Sequence, residues 1–152
     1  MQNRQIRRGD IYYAELNPVV GSEQGDSRPV IIVSNDAGNN HSPTVIVTPM
    51  TGNLRKNPLP THVVIPQTCG LGRDSLMLAE QIRTIDRVRL GEYIGHISDE
   101  IQPAVDTALT ICILTQNTKK TAAGTHPRGR SYVYLFDCYL VYKLDHFLQY
   151  FC

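Results

Sequence analysis

Asp10-Ile-Tyr-Tyr-Ala-Glu-Leu16 and Val30-Ile-Ile-Val-Ser34, joined through Gly21-Ser-Glu-Gln-Gly-Asp-Ser-Arg-Pro29, decide the fold. Both flanking runs are rich in β-branched and aromatic residues, which marks two adjacent strands. The polar, glycine-punctuated stretch between them is longer than a tight hairpin needs. On a rigid sheet, such a loop is where binding and chemistry concentrate. It ends in Arg28-Pro29, so a guanidinium is held where the chain re-enters the sheet. That group suits an anion, above all a phosphate.

Working outward, strands are expected over residues 9–16, 29–35, 43–50, 60–66 and 75–79. Thr44-Val-Ile-Val-Thr48 and Thr61-His-Val-Val-Ile65 are the most β-branched of these. Gly38-Asn-Asn40 and Cys69-Gly-Leu-Gly-Arg-Asp74 supply turn chemistry between strands. Helical period comes late. Asp86 can cap a short turn over residues 87–90. Beyond Ser98-Asp-Glu100, the residues Ile101, Val105, Ala108, Leu109 and Cys112 share one helical face. Pro103 lacks a donor and fits the first helical position. The expected architecture is mainly β: a small, strongly bent barrel of five to seven strands with a C-terminal helix.

Composition divides the chain near residue 114. All three phenylalanines and five of the eight tyrosines lie beyond it. Residues 115–130 read as a polar linker and 131–152 as an aromatic segment, so the body is 1–113. The net charge of +1 gives no whole-chain case for nucleic acid, and any such site must be a local patch. Cys69, Cys112, Cys138 and Cys152 are widely spaced with no nearby histidine pair, which argues against zinc and against a secreted disulfide framework. The polar N-terminus and the absence of a membrane-length apolar run lead us to expect a cytosolic protein without membrane contact.

Arg28 has companions. Ser22, Glu23 and Gln24 offer polar side chains in the same loop, and Thr51 places a hydroxyl past the end of the third strand. Neighbouring second and third strands would bring Arg28 and Thr51 to one mouth. Arginine plus hydroxyl, without a metal cluster, fits RNA cleavage, because RNA carries its own nucleophile in the 2′-OH. The protein then needs mainly in-line positioning and charge neutralisation. Arginine's high pKa favours a phosphate-stabilising role over that of a general base. His62 alternates outward on its strand, and His41 and His96 have no evident carboxylate partner. Glu80 and Gln81 can read base edges, or can simply form a strand exit before the Asp86 cap.

Gly9-Asp-Ile-Tyr-Tyr-Ala14, Pro18-Val-Val-Gly-Ser-Glu-Gln-Gly25, Arg28-Pro29, Asn35-Asp36, Ser42-Pro-Thr-Val-Ile-Val47, Leu59-Pro-Thr-His-Val63 and Glu80-Gln-Ile-Arg-Thr-Ile-Asp86 together resemble the MazF/PemK family of toxin endoribonucleases, closest to its Gram-positive (Firmicute) branch. The resemblance covers residues 6–113. It implies an SH3-like CcdB/MazF-type barrel, a homodimer, and cofactor-free, metal-independent cutting of single-stranded RNA at a U-A-C-A-U-like site. The products it implies are a 2′,3′-cyclic phosphate and a 5′-OH, and the partner a MazE-like antitoxin that blocks the RNA groove. By motif position, Arg28 and Thr51 carry over as catalytic residues. Ser22, Glu23, Gln24, Asn35, Pro60, His62, Glu80 and Gln81 carry over as RNA contacts.

The loop departs from the family pattern at Asp26-Ser27, which puts a carboxylate where it can pair with Arg28 or repel a phosphate. The tail lies outside the resemblance and is either an added covering element or an apolar extension with no evolved partner. Two competing functions are a gyrase-binding, non-enzymatic poison of CcdB type and an inactive relative.

Overall fold

The run Val30–Val33 has no polar alternation, which requires a strand covered on both faces. A computed structural model, describing residues 4–54 and 59–114, supplies both covers. Ile11, Ile31, Met50, Met77 and Ile97 pack on one side with Val105, Ala108 and Leu109 of the C-terminal helix. Tyr12, Val30, Ile32, Val45, Val47 and Ile85 pack on the other. The two-residue period of a strand sorts neighbours onto opposite faces, so a continuous apolar run serves two cores at once.

The elements in order are β1 (Asp10–Glu15), β2 (Ser27–Ile32), α1 (Asp36–His41), β3 (Thr44–Thr51), β4 (His62–Ile65), β5 (Ser75–Leu78), β6 (Arg83–Asp86), β7 (Leu90–His96) and α2 (Gln102–Leu114). Short 3₁₀ turns occupy Gln67–Cys69, Ala79–Gln81 and Arg87–Arg89. The antiparallel strands run in the order β4-β5-β3-β2-β1-β7, with β6 also pairing β3. The sheet therefore has free ends and does not close into the expected barrel. β3 is the hub: β2 pairs one edge from Val47 to Pro49, while β6 and then β5 pair with Thr44–Val47 and Met50–Thr51. The gap between those two ladders falls at Thr48-Pro49, where proline has no amide hydrogen to offer.

Three local expectations change. Gly38-Asn39-Asn40 lies inside α1 rather than in a turn, because the Asn35 side chain accepts from Gly38 N at 2.7 Å and caps a helical turn. β6 and β7 lengthen the sheet where only a strand exit and short turn were expected. Pro103 is the second residue of α2, one place later than expected and still within the first turn, where its missing N–H is harmless. The Asp86 cap forms as expected, accepting from Val88 N at 2.9 Å. The apolar face of α2 also holds: Val105, Ala108 and Leu109 are buried, and Ile101 and Cys112 pack beside them. No described helix is long and apolar enough to cross a membrane. The expected linker 115–130 and aromatic segment 131–152 lie outside the described residues.

Candidate active site

Arg28 is the second residue of β2 and is half-buried. Its Nε donates to the Gly25 carbonyl and its Nη1 to Gln24 Oε1, so the loop fixes the guanidinium from two sides. Among the described residues no carboxylate lies within ion-pair reach of it. The expected conflict with Asp26 is absent. Asp26, at φ 61°, accepts from Asn17 Nδ2 at 3.1 Å, and its own amide donates to Asn17 Oδ1 at 3.2 Å. Its carbonyl takes the Leu16 amide at 3.2 Å, closing the loop's base. The carboxylate is thus committed to Asn17, and among the described residues the Arg28 charge has no carboxylate partner.

Thr51 is the last residue of β3 rather than one beyond it, paired with Leu76. The β2–β3 register runs Val30↔Pro49, Ile31↔Thr48 and Ile32↔Val47. Continued by two residues on each strand, it places Arg28 opposite Thr51. Both line one cavity of about 710 Å³, together with Tyr13, Arg73, Glu92 and Tyr93. Thr48, the neighbouring hydroxyl on β3, is fully buried. Thr51 Oγ1 accepts from Asn53 N at 3.2 Å, leaving its own proton to donate elsewhere.

The remaining predicted contacts form a second group. The Gln24 amide donates to Gln81 Oε1 at 3.2 Å, tying the Arg28 loop to the 3₁₀ turn that carries Glu80. Glu80 accepts from Thr61 Oγ1 at 2.9 Å and meets His62 Nε2 at 2.9 Å. His62 therefore does not point outward as its alternation suggested. Its side chain is only 4 % exposed, folded onto Glu80 at the start of the short strand β4. Pro60 sits exposed in the turn before it. Glu23 is engaged within its own loop, accepting from Val20 N at 3.2 Å, while Ser22 stays exposed. Asn35 is apart from the cavity, capping α1.

Burial works to raise the Glu80 carboxyl, but hydrogen bonds from His62, from its own backbone and from Thr61 outweigh it and hold the pKa below the usual carboxylate value. A group depressed on folding adds stability above its unfolded pKa and loses it as pH falls through the folded one. Thermal melts from neutral pH down through the carboxylate range are expected to show a shallower acid-side decline for Glu80→Gln than for the parent. Parallel declines would mean that the His62–Glu80 contact contributes nothing to acid sensitivity.

Sequence reasoning missed several cavity residues. Arg73 was hidden in a stretch read only as a turn, and Glu92 and Tyr93 sit on β7, which glycines at 91 and 95 disguised. Tyr13 is the exposed partner of buried Tyr12 in β1, a contrast visible in the alternation alone. His96, expected to lack a carboxylate, has one: its Nδ1 lies 2.9 Å from Oδ1 of buried Asp10, which also accepts from the Arg7 amide at 2.9 Å. No local pattern could reveal that pair, because it joins opposite ends of the domain.

A half-buried arginine with no carboxylate in reach among the described residues lines one cavity with a strand-end hydroxyl on a small antiparallel sheet, an arrangement that suits a phosphate ester. Residues 7–113 match the model of the PemK-like, MazF-like toxins of type II toxin–antitoxin systems, and the chain belongs to that family. It is 52 % identical over 109 residues to endoribonuclease EndoA of Bacillus subtilis (strain 168), covering 71 % of this chain and 94 % of EndoA. Among solved structures it resembles MazF from Deinococcus radiodurans, with TM-score 0.62 and 25 % identity, covering 71 % of this chain and 96 % of that one. It also resembles a mycobacterial endoribonuclease in complex with its cognate antitoxin, with TM-score 0.59 and 26 % identity, covering 70 % and 93 % of the two chains.

Proposed function

We propose that the endoribonuclease chemistry of this toxin takes place in the 710 Å³ cavity, with Arg28 and Thr51 stabilising the transition state on single-stranded RNA. The observation that carries this reading is that one cavity holds both side chains, the first with no carboxylate partner among the described residues and the second with a proton to donate. Kinship to EndoA supplies the substrate class.

In this scheme the 2′-oxygen attacks the neighbouring phosphorus while the P–O5′ bond breaks. The 2′-hydroxyl loses its proton and the departing 5′-oxygen gains one, leaving a 2′,3′-cyclic phosphate and a 5′-OH. Arg28 neutralises charge gathering on the non-bridging oxygens, and Thr51 donates a hydrogen bond to one of them. Neither role calls for a metal. The two side chains act by position and charge, which is where most catalysis of phosphoryl chemistry arises.

Sequence choice falls to the second group. Gln81, with Oε1 engaged by Gln24, keeps its NH₂ to donate to a base, and Glu80, braced by His62 and Thr61, accepts from one. Pro60, Ser22, Glu23 and Gln24 flank the path, Asn35 being taken up by the α1 cap, and a U-A-C-A-U-like site is the expected target. The working form is a cytoplasmic homodimer whose groove a MazE-like antitoxin covers.

The test is incubation of the protein with a long RNA in EDTA, followed by mapping of new ends. Recurrent cuts in one sequence context, bearing 5′-OH and 2′,3′-cyclic phosphate termini, are the expected result. Intact RNA in the presence of folded protein, combined with gyrase inhibition, would overturn the proposal in favour of a binding poison.

A further inference from the structure

The cavity holds a second guanidinium to which the scheme above gives no role. Arg73 lies in the turn before β5 and lines the cavity with Arg28 and Thr51. A Cβ built on Gly52, the residue after Thr51, would stand 2.3 Å from Arg73 Nε, 2.5 Å from its Cζ and 2.6 Å from its Nη2. The guanidinium therefore rests against the glycine backbone, in space that a side chain at 52 would occupy. Among the described residues it has no hydrogen bond or ion pair, and Glu92, the carboxylate of the same cavity, does not reach it. A cation placed by packing but left without a protein anion is arranged for an anionic ligand.

A single strand threaded past Arg28 and Thr51 brings more than one phosphate to this cavity. We propose that Arg73 binds the phosphodiester adjacent to the scissile one and holds the RNA backbone in line for attack. It is a positioning residue, and the inference rests on the reading of Arg28 and Thr51 as the cleavage pair. Gly52 belongs to the same device, because only a residue without a side chain leaves the guanidinium its seat.

The test measures binding of an RNA carrying a 2′-deoxy residue at the cut position, which cannot be cleaved, across a range of salt. Arg73→Ala is expected to weaken binding by about 10-fold or more. It should also lower the slope of log affinity against log salt by about 0.7, the value for one lost contact to single-stranded nucleic acid. Arg73→Lys should restore the slope and only part of the affinity. With cleavable RNA the loss should fall mainly on KM. Gly52→Ala, whose methyl meets only the flexible Arg73 side chain among its nearest atoms, should reproduce the loss. The double variant should then add little. Parent-like affinity and slope in Arg73→Ala, or a defect confined to kcat, would overturn the inference. Failure of the parent protein to cut RNA would instead overturn the cleavage reading, and the binding arm would still report on Arg73.

Discussion

Arg28→Ala is expected to lower the rate of RNA cleavage by about 10³-fold, with most of the loss in kcat, because the charge it neutralises develops in the transition state. Single-turnover cleavage of a short RNA, with melting curves to confirm folding, is the measurement. Arg28→Lys should recover little. Two donors of the guanidinium are held by Gly25 and Gln24, and an ammonium cannot keep that fork while also reaching a phosphate. Thr51→Ala should cost about 10²-fold and Thr51→Ser should regain part of it, as expected for loss and return of one transition-state hydrogen bond. The double variant should lose less than the product of the single losses, since residues acting on one phosphate are not additive. An Arg28→Ala protein that cuts at the parent rate would remove Arg28 from the reaction.

The largest expected effect on stability lies behind the cavity wall. A Cβ on Gly95 would stand 2.0 Å from the Cys69 carbonyl oxygen, and one on Gly70 would stand 2.4 Å from the Ile94 carbonyl oxygen. Here β7 and the turn at residues 67–70 press backbone on backbone, and Gly70 adds a φ of 97° that a side chain resists. Relief would require moving main chain rather than rotating a side chain. Gly95→Ala is therefore expected to cost about 3 kcal/mol or more, a large part of the ordinary stability of such a domain. In a domain this small that corresponds to a drop of roughly 10–20 °C in Tm. Gly70 and Ile94 line the cavity, so surviving protein should also cleave poorly. A parent-like Tm would show that this contact is softer than its geometry.

How much was legible in the sequence depended on how local the cause was. β-Branched runs placed β1 to β5 within a few residues, because strand preference and burial coincide there. The stripe Val105, Ala108, Leu109 announced α2 for the same reason. The meeting of Arg28 with Thr51 could be anticipated from two adjacent strands, since antiparallel pairing turns sequence neighbours into a register. β6 and β7 stayed hidden because glycines and 3₁₀ turns interrupt their alternation, and tertiary pairing overrides such weak local signals. Closure of the sheet was expected from strand spacing, which carries no information on which edges bond. His62 shows the limit of period two: alternation gives the direction of a Cβ, whereas the ring turned back to a carboxylate from a distant turn. Asp26 is the converse. Its neighbour in sequence was Arg28, but the αL backbone aimed its carboxylate at Asn17.

β3 bonds to β2 along one edge and to β6 and β5 along the other, and its final residue is Thr51. Its amides point alternately to the two edges, so exposing all of them requires both sheet segments to part. Hydrogen exchange over the whole of β3 thus reports opening on both of its edges, whereas the loop before β2, whose Gln24 and Gly25 hold the Arg28 guanidinium, can breathe on its own. The two candidate groups therefore differ in kind: a hydroxyl at the end of a strand paired on both edges, and a cation whose backbone lies in β2 but whose fork is set by acceptors in the preceding loop.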